Sequence, residues 1–334
     1  MRVLIFALFL LVFTKNIYSQ EWGSSAQTNP IGLTNIDVTE SAEDNIPSYT
    51  FLSSGYNNES AYSGMIDSIS GSTISFSDFI IETDENSYED NALTQSPHLL
   101  VLRDGNPLYN GRSFLVIGHE GNDVTINLKP DEVSTYFSAT DSIDIIEANT
   151  LSSLFGSGED FLGKKGTPSN ADNILVWSTY GWKTYFYNDD KWQTFGTRTD
   201  QSNAIIYPDE GVIYVRKSIE PLVLTFNGNA PTVAQVYMPQ AGNKFLMANP
   251  FPTNMKISEL VDSSTNWEKS QVFSECDYVL YWSGNSWVTY YHNVNNWINS
   301  VSGEIDDREI LPGESILIVK NKLSSGGAFQ KVEL

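Results

Sequence analysis

The chain has 334 residues, and its 19 Lys and Arg against 41 Asp and Glu give a formal net charge of −22. Nucleic acids and anionic membranes bind proteins through Lys and Arg, so this surplus of acid excludes both as expected partners. A single cysteine, Cys276, excludes an intrachain disulfide, and the fold must rest on its hydrophobic core.

The first 19 residues have the pattern of a secretory signal peptide. Arg2 supplies the positive charge, residues 3–13 form an apolar run, and Ser19 is the small residue before the expected cleavage site. The run is too short to span a bilayer well, although an uncleaved membrane anchor is the alternative. We therefore expect an exported protein that begins near Gln20 and has no membrane span after cleavage. Its expected location is extracellular, on the cell surface or periplasmic.

Residues 20–46 are rich in Ser, Thr, Asn and Asp and are predicted to form a linker or arm. Short alternating apolar segments follow over residues 47–147. Gly-containing turns between them, at 70–72 and 120–123, predict hairpins. About six or seven short strands without a helical period predict a small N-terminal β-barrel or sandwich domain. Within it, residues 82–95 form an acidic loop.

An internal repeat dominates the rest of the chain. Residues 172–192 and 277–297 align without a gap at an offset of 105 and share nine identical residues. Both copies contain an aromatic segment that reads as a hairpin. Such self-similarity predicts two homologous β modules, over residues 148–240 and 241–334.

Each copy has further paired elements. Short helical turns are predicted at 151–155 and 257–261, with Asn254 as a cap for the second. After the hairpins, Pro208 and Pro312 open turns that lead into continuous apolar strands, which is typical of strands covered on both faces. The predicted fold is all-β: a small N-terminal β-barrel or sandwich domain followed by two homologous β modules with short helical turns.

This order of elements resembles an uncharacterised family of exported β-rich proteins that occurs as multiple paralogues in Verrucomicrobia. The resemblance is carried by the Ser-Gly-Ser-Thr-Ile hairpin at 70–74, by the repeated Asp…Trp…Trp-x-x-Tyr blocks, and by the Pro-led turns at 208–211 and 312–314. It covers most of the chain after residue 19, while the acidic loop departs from the family's pattern. The resemblance implies no known activity, cofactor or catalytic residue.

No motif selects a catalytic or metal site. The histidines lack the spacing of zinc ligands. Asp172 and Asp277 recur in both copies, and a turn or strand-cap role is favoured over a duplicated catalytic acid. Calcium is the metal that acidic loops would suit, but neither candidate loop has the EF-hand spacing, so solvated loops are favoured. Those loops contain Asp84, Asn86, Glu89 and Asp90, and Asn188, Asp189 and Asp190. We predict no catalytic residue, metal or cofactor.

The aromatic strands present two faces because side chains alternate along a strand. Trp182 and Trp287 lie on the face that we expect to point into the core. The other face carries Lys183 and is more polar, so we expect it to point outward. The predicted ligand-binding residues lie on this face: Tyr185, Tyr187, Tyr290 and His292. The alternative is that these rings pack the two copies together.

The predicted function is that of an exported, non-enzymatic structural or binding protein of the cell surface or extracellular matrix. Its expected partner is a neutral glycan or a protein, because the net charge disfavours anions and tyrosines suit wet contacts. The alternative is a secreted polysaccharide-acting enzyme that uses paired carboxylates. A cleft with two carboxylates of raised pKa would favour the enzyme, and a flat aromatic patch would favour binding. An outer-membrane barrel is disfavoured because the strands are short and separated by loops.

Overall fold

The computed structural model describes residues 30–77, 96–178, 181–261, 267–321 and 327–333. These residues form 23 β-strands and three short α-helices, which confirms the predicted all-β class. The signal peptide, much of the expected linker and the acidic loop lie outside the described residues. Where the structure describes the chain, no helix is long and apolar enough to cross a membrane.

Two strands precede the N-terminal domain, β1 (Ile31–Val38) and β2 (Ser48–Leu52). β1 pairs with residues 222–229 and β2 with residues 212–216, so both belong to the first repeat. The prediction of a linker over 20–46 is wrong for the residues of β1. Their apolar side chains alternate with Gly, Thr, Asn and Asp in a ribbon that is largely open to solvent, which weakens the apolar signal.

The N-terminal domain is one open, antiparallel sheet with helix α1 (Pro130–Tyr136) beside it. Its strands are β3 (Ser60–Met65), β4 (Ser68–Ser70), β5 (Thr73–Ser75), β6 (His98–Asp104), β7 (Ser113–Glu120), β8 (Asp123–Ile126) and β9 (Ser142–Glu147). They are ordered β3-β9-β6-β7-β8-β5-β4. The predicted hairpins at 70–72 and 120–123 are confirmed, and Gly71 and Gly121 adopt the positive φ that their turns require.

The first module combines β1 and β2 with elements that follow the N-terminal domain. These are α2 (Leu151–Phe155), β10 (Asn173–Ser178), β11 (Gly181–Asn188), β12 (Lys191–Thr194), β13 (Val212–Arg216) and β14 (Leu222–Asn229). Five strands form a sheet in the order β12-β11-β10-β13-β2, and β1 pairs with β14 as a separate ribbon. Helix α2 begins after Thr150, whose hydroxyl accepts the Ser153 amide at 3.2 Å, as a cap should.

The second module repeats this plan. Its elements are β15 (Val233–Met238), β16 (Lys244–Ala248), β17 (Met255–Lys256), α3 (Ile257–Leu260), β18 (Tyr278–Trp282), β19 (Trp287–His292), β20 (Trp297–Asn299), β21 (Glu309–Ile310), β22 (Ser315–Val319) and β23 (Ala328–Glu333). The sheet order is β16-β22-β18-β19-β20, and β15 pairs with β23. The predicted boundary at residue 240 is therefore wrong, since β15 belongs to the second module. Asn254 is not the cap of α3, which follows Lys256.

The two modules correspond strand by strand. Trp177 pairs with Trp182 across β10 and β11, and Trp282 pairs with Trp287 across β18 and β19, as the offset of 105 predicts. At the other side of the sheet, β2 occupies the place of β16. The N-terminal domain is thus inserted into the first module after its second strand.

The five-stranded sheets of the two modules pack against each other. Their contact is built from buried apolar side chains of both sheets: Phe51, Ile213, Val215, Leu246, Leu317 and Val319. The opposite face of each sheet packs on the module's own ribbon and helix. Both faces are therefore covered, which is why β13 and β22 are buried along their whole length.

Candidate functional site

The predicted ligand-binding face belongs to the core of each module. Three of its four residues are buried and the last is half-buried: Tyr185, Tyr187, Tyr290 and His292. Tyr187 stacks on Phe161 with 4.5 Å between ring centroids, and its hydroxyl accepts the Gly158 amide. His292 lies edge-on to Trp297 at 5.5 Å. The prediction that these four side chains face outward is wrong.

The tryptophan face is the one that joins the modules. Trp182 and Trp287, expected in the core, are each 38% exposed at the rim of the inter-module contact. Phe51 of the first module lies 5.7 Å from Trp282 and 4.8 Å from Trp287, measured between ring centroids. The two faces were assigned in reverse because the prediction assumed one wet face, whereas the sheet is covered on both sides.

The repeated aspartates brace the fold. Asp172 accepts the Lys217 amide at 2.8 Å and forms a buried ion pair with Arg216. Asp277 accepts a backbone amide in the same position and forms a buried ion pair with Lys320. Each carboxylate ties the start of the aromatic hairpin to the end of the long apolar strand. The structural role predicted for these two residues is confirmed.

Of the two acidic loops considered as calcium sites, the structure describes one. Asp189 and Asp190 form the two-residue turn between β11 and β12, with φ of 51° and 55°, which is the geometry of a tight hairpin turn. The loop that contains Asp84 lies outside the described residues. Among the residues that the structure describes, no group of three or more His, Cys, Asp or Glu side chains could hold a metal ion.

A cleft of about 660 Å³, here called the first cleft, opens where the two modules and the N-terminal domain meet. Its aromatic lining comes from both modules: Trp177, Tyr185, Tyr207, Tyr237, Phe245 and Phe329. Its charged lining consists of Lys183, Asp209, Glu210 and Lys244. The N-terminal domain contributes Ser113 at the start of β7. Rings with a few convergent polar groups, in a cavity of this size, are typical of ligand sites.

Two neighbouring carboxyls lie in the wall of the first cleft, in the turn that Pro208 opens. Asp209 accepts the Tyr237 amide at 2.9 Å, and Glu210 accepts the Tyr207 amide at 3.1 Å. Burial raises the pKa of Asp209 to about 6. Burial, together with the nearby charge of Asp209, raises the pKa of Glu210 to about 8. At neutral pH, Glu210 is therefore mainly protonated and Asp209 mainly ionised.

The second module has a related cleft of about 440 Å³, here called the second cleft. It lies beside β18 and receives side chains from β1 and β2 of the first module. Its lining includes Asp37, Tyr49, Phe51, Tyr281, Trp282 and Glu314. Trp282 and Glu314 correspond to Trp177 and Glu210, so the duplication has placed a tryptophan and a glutamate in both clefts.

Glu210 and Glu314 differ in the hydrogen bonds that their side-chain oxygens accept. Glu314 accepts the Leu311 amide at 2.9 Å through one oxygen and the Tyr281 hydroxyl at 3.0 Å through the other. Val176 stands where the second module has Tyr281. Within the described residues, the Tyr207 amide is accordingly the one hydrogen-bond donor to Glu210. The second oxygen of Glu210 is left available to a ligand.

Of the four predicted ligand-binding residues, Tyr185 lines the first cleft, although it is largely buried there, and sequence reasoning missed the other residues of the site. The Pro-x-Glu-Gly turn at 208–211 was noticed only as a repeated turn, although its Asp209 and Glu210 form the polar part of the first cleft. Lys183 was noticed only as a mark of an outward face. The signal that could have found the site is the set of positions at which the copies differ, such as Val176 against Tyr281.

Comparison of the chain with protein-family models, with curated proteins and with solved structures found no match. The resemblance to exported β-rich proteins of Verrucomicrobia therefore stays a prediction. The fold and the clefts define the class: an all-β protein with a duplicated module and a polar, ring-lined cleft between the copies.

Proposed function

We propose that this protein is exported and binds a polysaccharide in the first cleft without transforming it. Export rests on the signal-peptide pattern of residues 1–19. Binding rests on the first cleft, whose rings offer flat apolar surfaces for sugar rings and whose polar groups can hydrogen-bond to hydroxyls. Tyr237 and Phe329 from the second module line the same cleft as Tyr185 and Tyr207 from the first, so a sugar would contact both modules.

The observation that carries the proposal is the free hydrogen-bonding capacity of Glu210. A carboxyl that is protonated at neutral pH both donates and accepts hydrogen bonds, as a sugar hydroxyl does. In the second cleft, Tyr281 occupies the corresponding oxygen of Glu314 at 3.0 Å. The protein thus contains one glutamate with an oxygen free for a ligand, Glu210, and one whose two oxygens both accept hydrogen bonds from its own module, Glu314.

The test is binding of a panel of oligosaccharides to the intact protein, measured by calorimetry. The variant Val176→Tyr copies the second module and should fill the first cleft and satisfy Glu210. We expect it to abolish binding while the protein remains folded, which a cooperative thermal melt checks, because Val176 is buried and a larger side chain there carries a modest cost in stability. Tyr49→Ala, which opens the second cleft, is the matched control and should bind as the wild type does. Binding that survives Val176→Tyr and is lost in Tyr49→Ala would contradict the proposal.

A polysaccharide hydrolase is the second candidate, and the pair Asp209 and Glu210 favours it. Glycoside hydrolysis uses a protonated acid beside an ionised carboxylate, and the raised pKa values of about 8 and 6 supply that combination near neutral pH. We favour binding because both carboxyls already accept backbone amides, and Glu314 accepts one in the same way in the second module, where Gly313 stands in the place of Asp209. If the protein releases reducing ends from a polysaccharide, and Glu210→Gln lowers the rate of that release about 100-fold, the result would favour the hydrolase.

A further inference from the structure

The first cleft carries positive charge that the second cleft lacks. Lys183 and Lys244 line the first cleft, and both side chains are exposed at its rim. Neither ammonium group forms an ion pair with a carboxylate in the part of the chain that the structure describes. By strand register, Lys183 of the first module corresponds to Val288 of the second, and Lys244 of the second module corresponds to Tyr49 of the first. Among the described residues that line the second cleft there is no Lys or Arg.

The contact that holds one of these ammonium groups is an aromatic one. The Lys183 Nζ atom lies 4.8 Å from the centroid of the Tyr185 ring, within the range of a cation–π contact. This contact orients the group at the cleft without neutralising it. A third cation lies close by, because the Arg112 guanidinium is 4.1 Å from the centroid of Phe329, another ring of the cleft.

We infer that the first cleft recognises an acidic polysaccharide, whose carboxylate or sulfate groups contact the ammonium groups of Lys183 and Lys244. This inference rests on the proposed glycan-binding function and names its ligand class. It departs from the neutral partner that the net charge of −22 predicts, because the charge of a site is set by the residues that line it. The two lysines attract an anionic group that lies within a Debye length of them, about 8 Å at physiological salt.

The carboxyls of the first cleft do not oppose an anion as strongly as their number suggests. Burial raises the pKa of Glu210 to about 8, so that side chain is mainly neutral at pH 7 and can donate a hydrogen bond to an anionic oxygen. Asp209 is held by the Tyr237 amide at 2.9 Å. The cleft thus has two cationic side chains and one mainly ionised carboxylate near neutral pH, with Arg112 beside it.

The experiment compares acidic and neutral oligosaccharides of similar length: an oligogalacturonate, a sulfated galactan fragment, and neutral gluco-, manno- and xylo-oligosaccharides. The double variant Lys183→Val, Lys244→Tyr gives both positions the residue found at the corresponding position of the other module, Val288 and Tyr49. We expect wild type to bind at least one acidic probe about tenfold more tightly than any neutral one, the gain expected of charge-assisted hydrogen bonds. We expect the double variant to lose that preference while its weak neutral binding persists. The two acidic probes distinguish carboxylate from sulfate recognition.

Two control variants keep the result decisive. Lys129→Val, Lys269→Val removes the same charge away from the first cleft and should bind as wild type does. Lys183→Arg, Lys244→Arg keeps the charge and should retain the acidic preference, which separates loss of charge from loss of folding. Equal or tighter binding of the neutral probes would overturn the inference and leave the proposed function intact. If no probe of either class binds, both fail, and an equal loss in the first control also overturns the inference.

Discussion

The two clefts differ far more than the two modules that form them. The modules share strand order, the paired tryptophans, the buried aspartate and its cation, and the glutamate that holds a backbone amide. The clefts differ at Val176, Lys183 and Asp209 in the first module, where the second has Tyr281, Val288 and Gly313. What the copies share therefore maintains the fold, and what they do not share marks the first cleft as the site.

The largest expected effect on stability comes from the buried ion pairs that the two modules share. Arg216→Met and Lys320→Met each leave a buried aspartate without its cation, and we expect each to lower the free energy of unfolding by about 3–5 kcal/mol. Lys331→Met is the control, since the exposed pair Lys331–Glu333 should contribute no more than about 1 kcal/mol. Chemical denaturation measures all three. A loss of stability in only one of the two variants would show that the two buried ion pairs are not equivalent.

The next prediction compares the stability lost when a tryptophan is removed from each of the two faces of one hairpin. Trp192 is buried and Trp182 is 38% exposed, so the same change to alanine should have unequal costs. We expect Trp192→Ala to cost about 3–5 kcal/mol, because it removes a large core ring. We expect Trp182→Ala to cost roughly half as much, since less apolar area is lost from the interior. Equal shifts in thermal melts would contradict the assignment of the two faces.

A smaller effect is expected from Asp209, whose counterpart in the second module is Gly313. The pKa of Asp209 is about 6 in the folded protein and near 3.8 when unfolded, so folding favours its protonated form. Stability from this group is fully present below pH 3.8 and is lost as pH rises through 6. Asp209→Asn should match wild type at pH 3.5 and exceed it at pH 8 by on the order of 1–3 kcal/mol. Urea titrations at both pH values measure the difference, and a variant that is less stable at pH 8 would contradict the burial of this carboxyl.

Much of the fold could be predicted from the sequence because it depends on local signals. Pro208 and Pro312 open turns before apolar strands, and the aromatic segments form hairpins where alternation and turn residues agree. Asp172 and Asp277 were correctly assigned to structure because a residue shared by both copies most simply serves what both copies need. The fold class, the hairpins and the duplicated plan all follow from such patterns.

The rest depends on pairings between distant segments, which no local pattern records. β2 pairs with β13 across the whole inserted domain, so a five-residue strand far upstream gave no sign of belonging to the repeat. Tyr185 and Tyr290 were placed on the outer face because Lys183 and His292 made that face look polar. Only the packing of one sheet on the other explains why both faces are covered. The first cleft was missed for the same reason, since segments from both modules and from the N-terminal domain form it.

The claim that the first cleft alone binds ligand can be tested by replacing the eight tryptophans with 5-fluorotryptophan and recording ¹⁹F spectra. Trp177 lines the first cleft and Trp282 the second, and Trp177→Phe and Trp282→Phe assign their signals. On titration with oligogalacturonate and with a neutral oligosaccharide, the account predicts a saturable shift of the Trp177 signal, an unmoved Trp282 signal, and loss of the shift in Val176→Tyr. Equal shifts of both signals, or a shift of Trp282 alone, would contradict it.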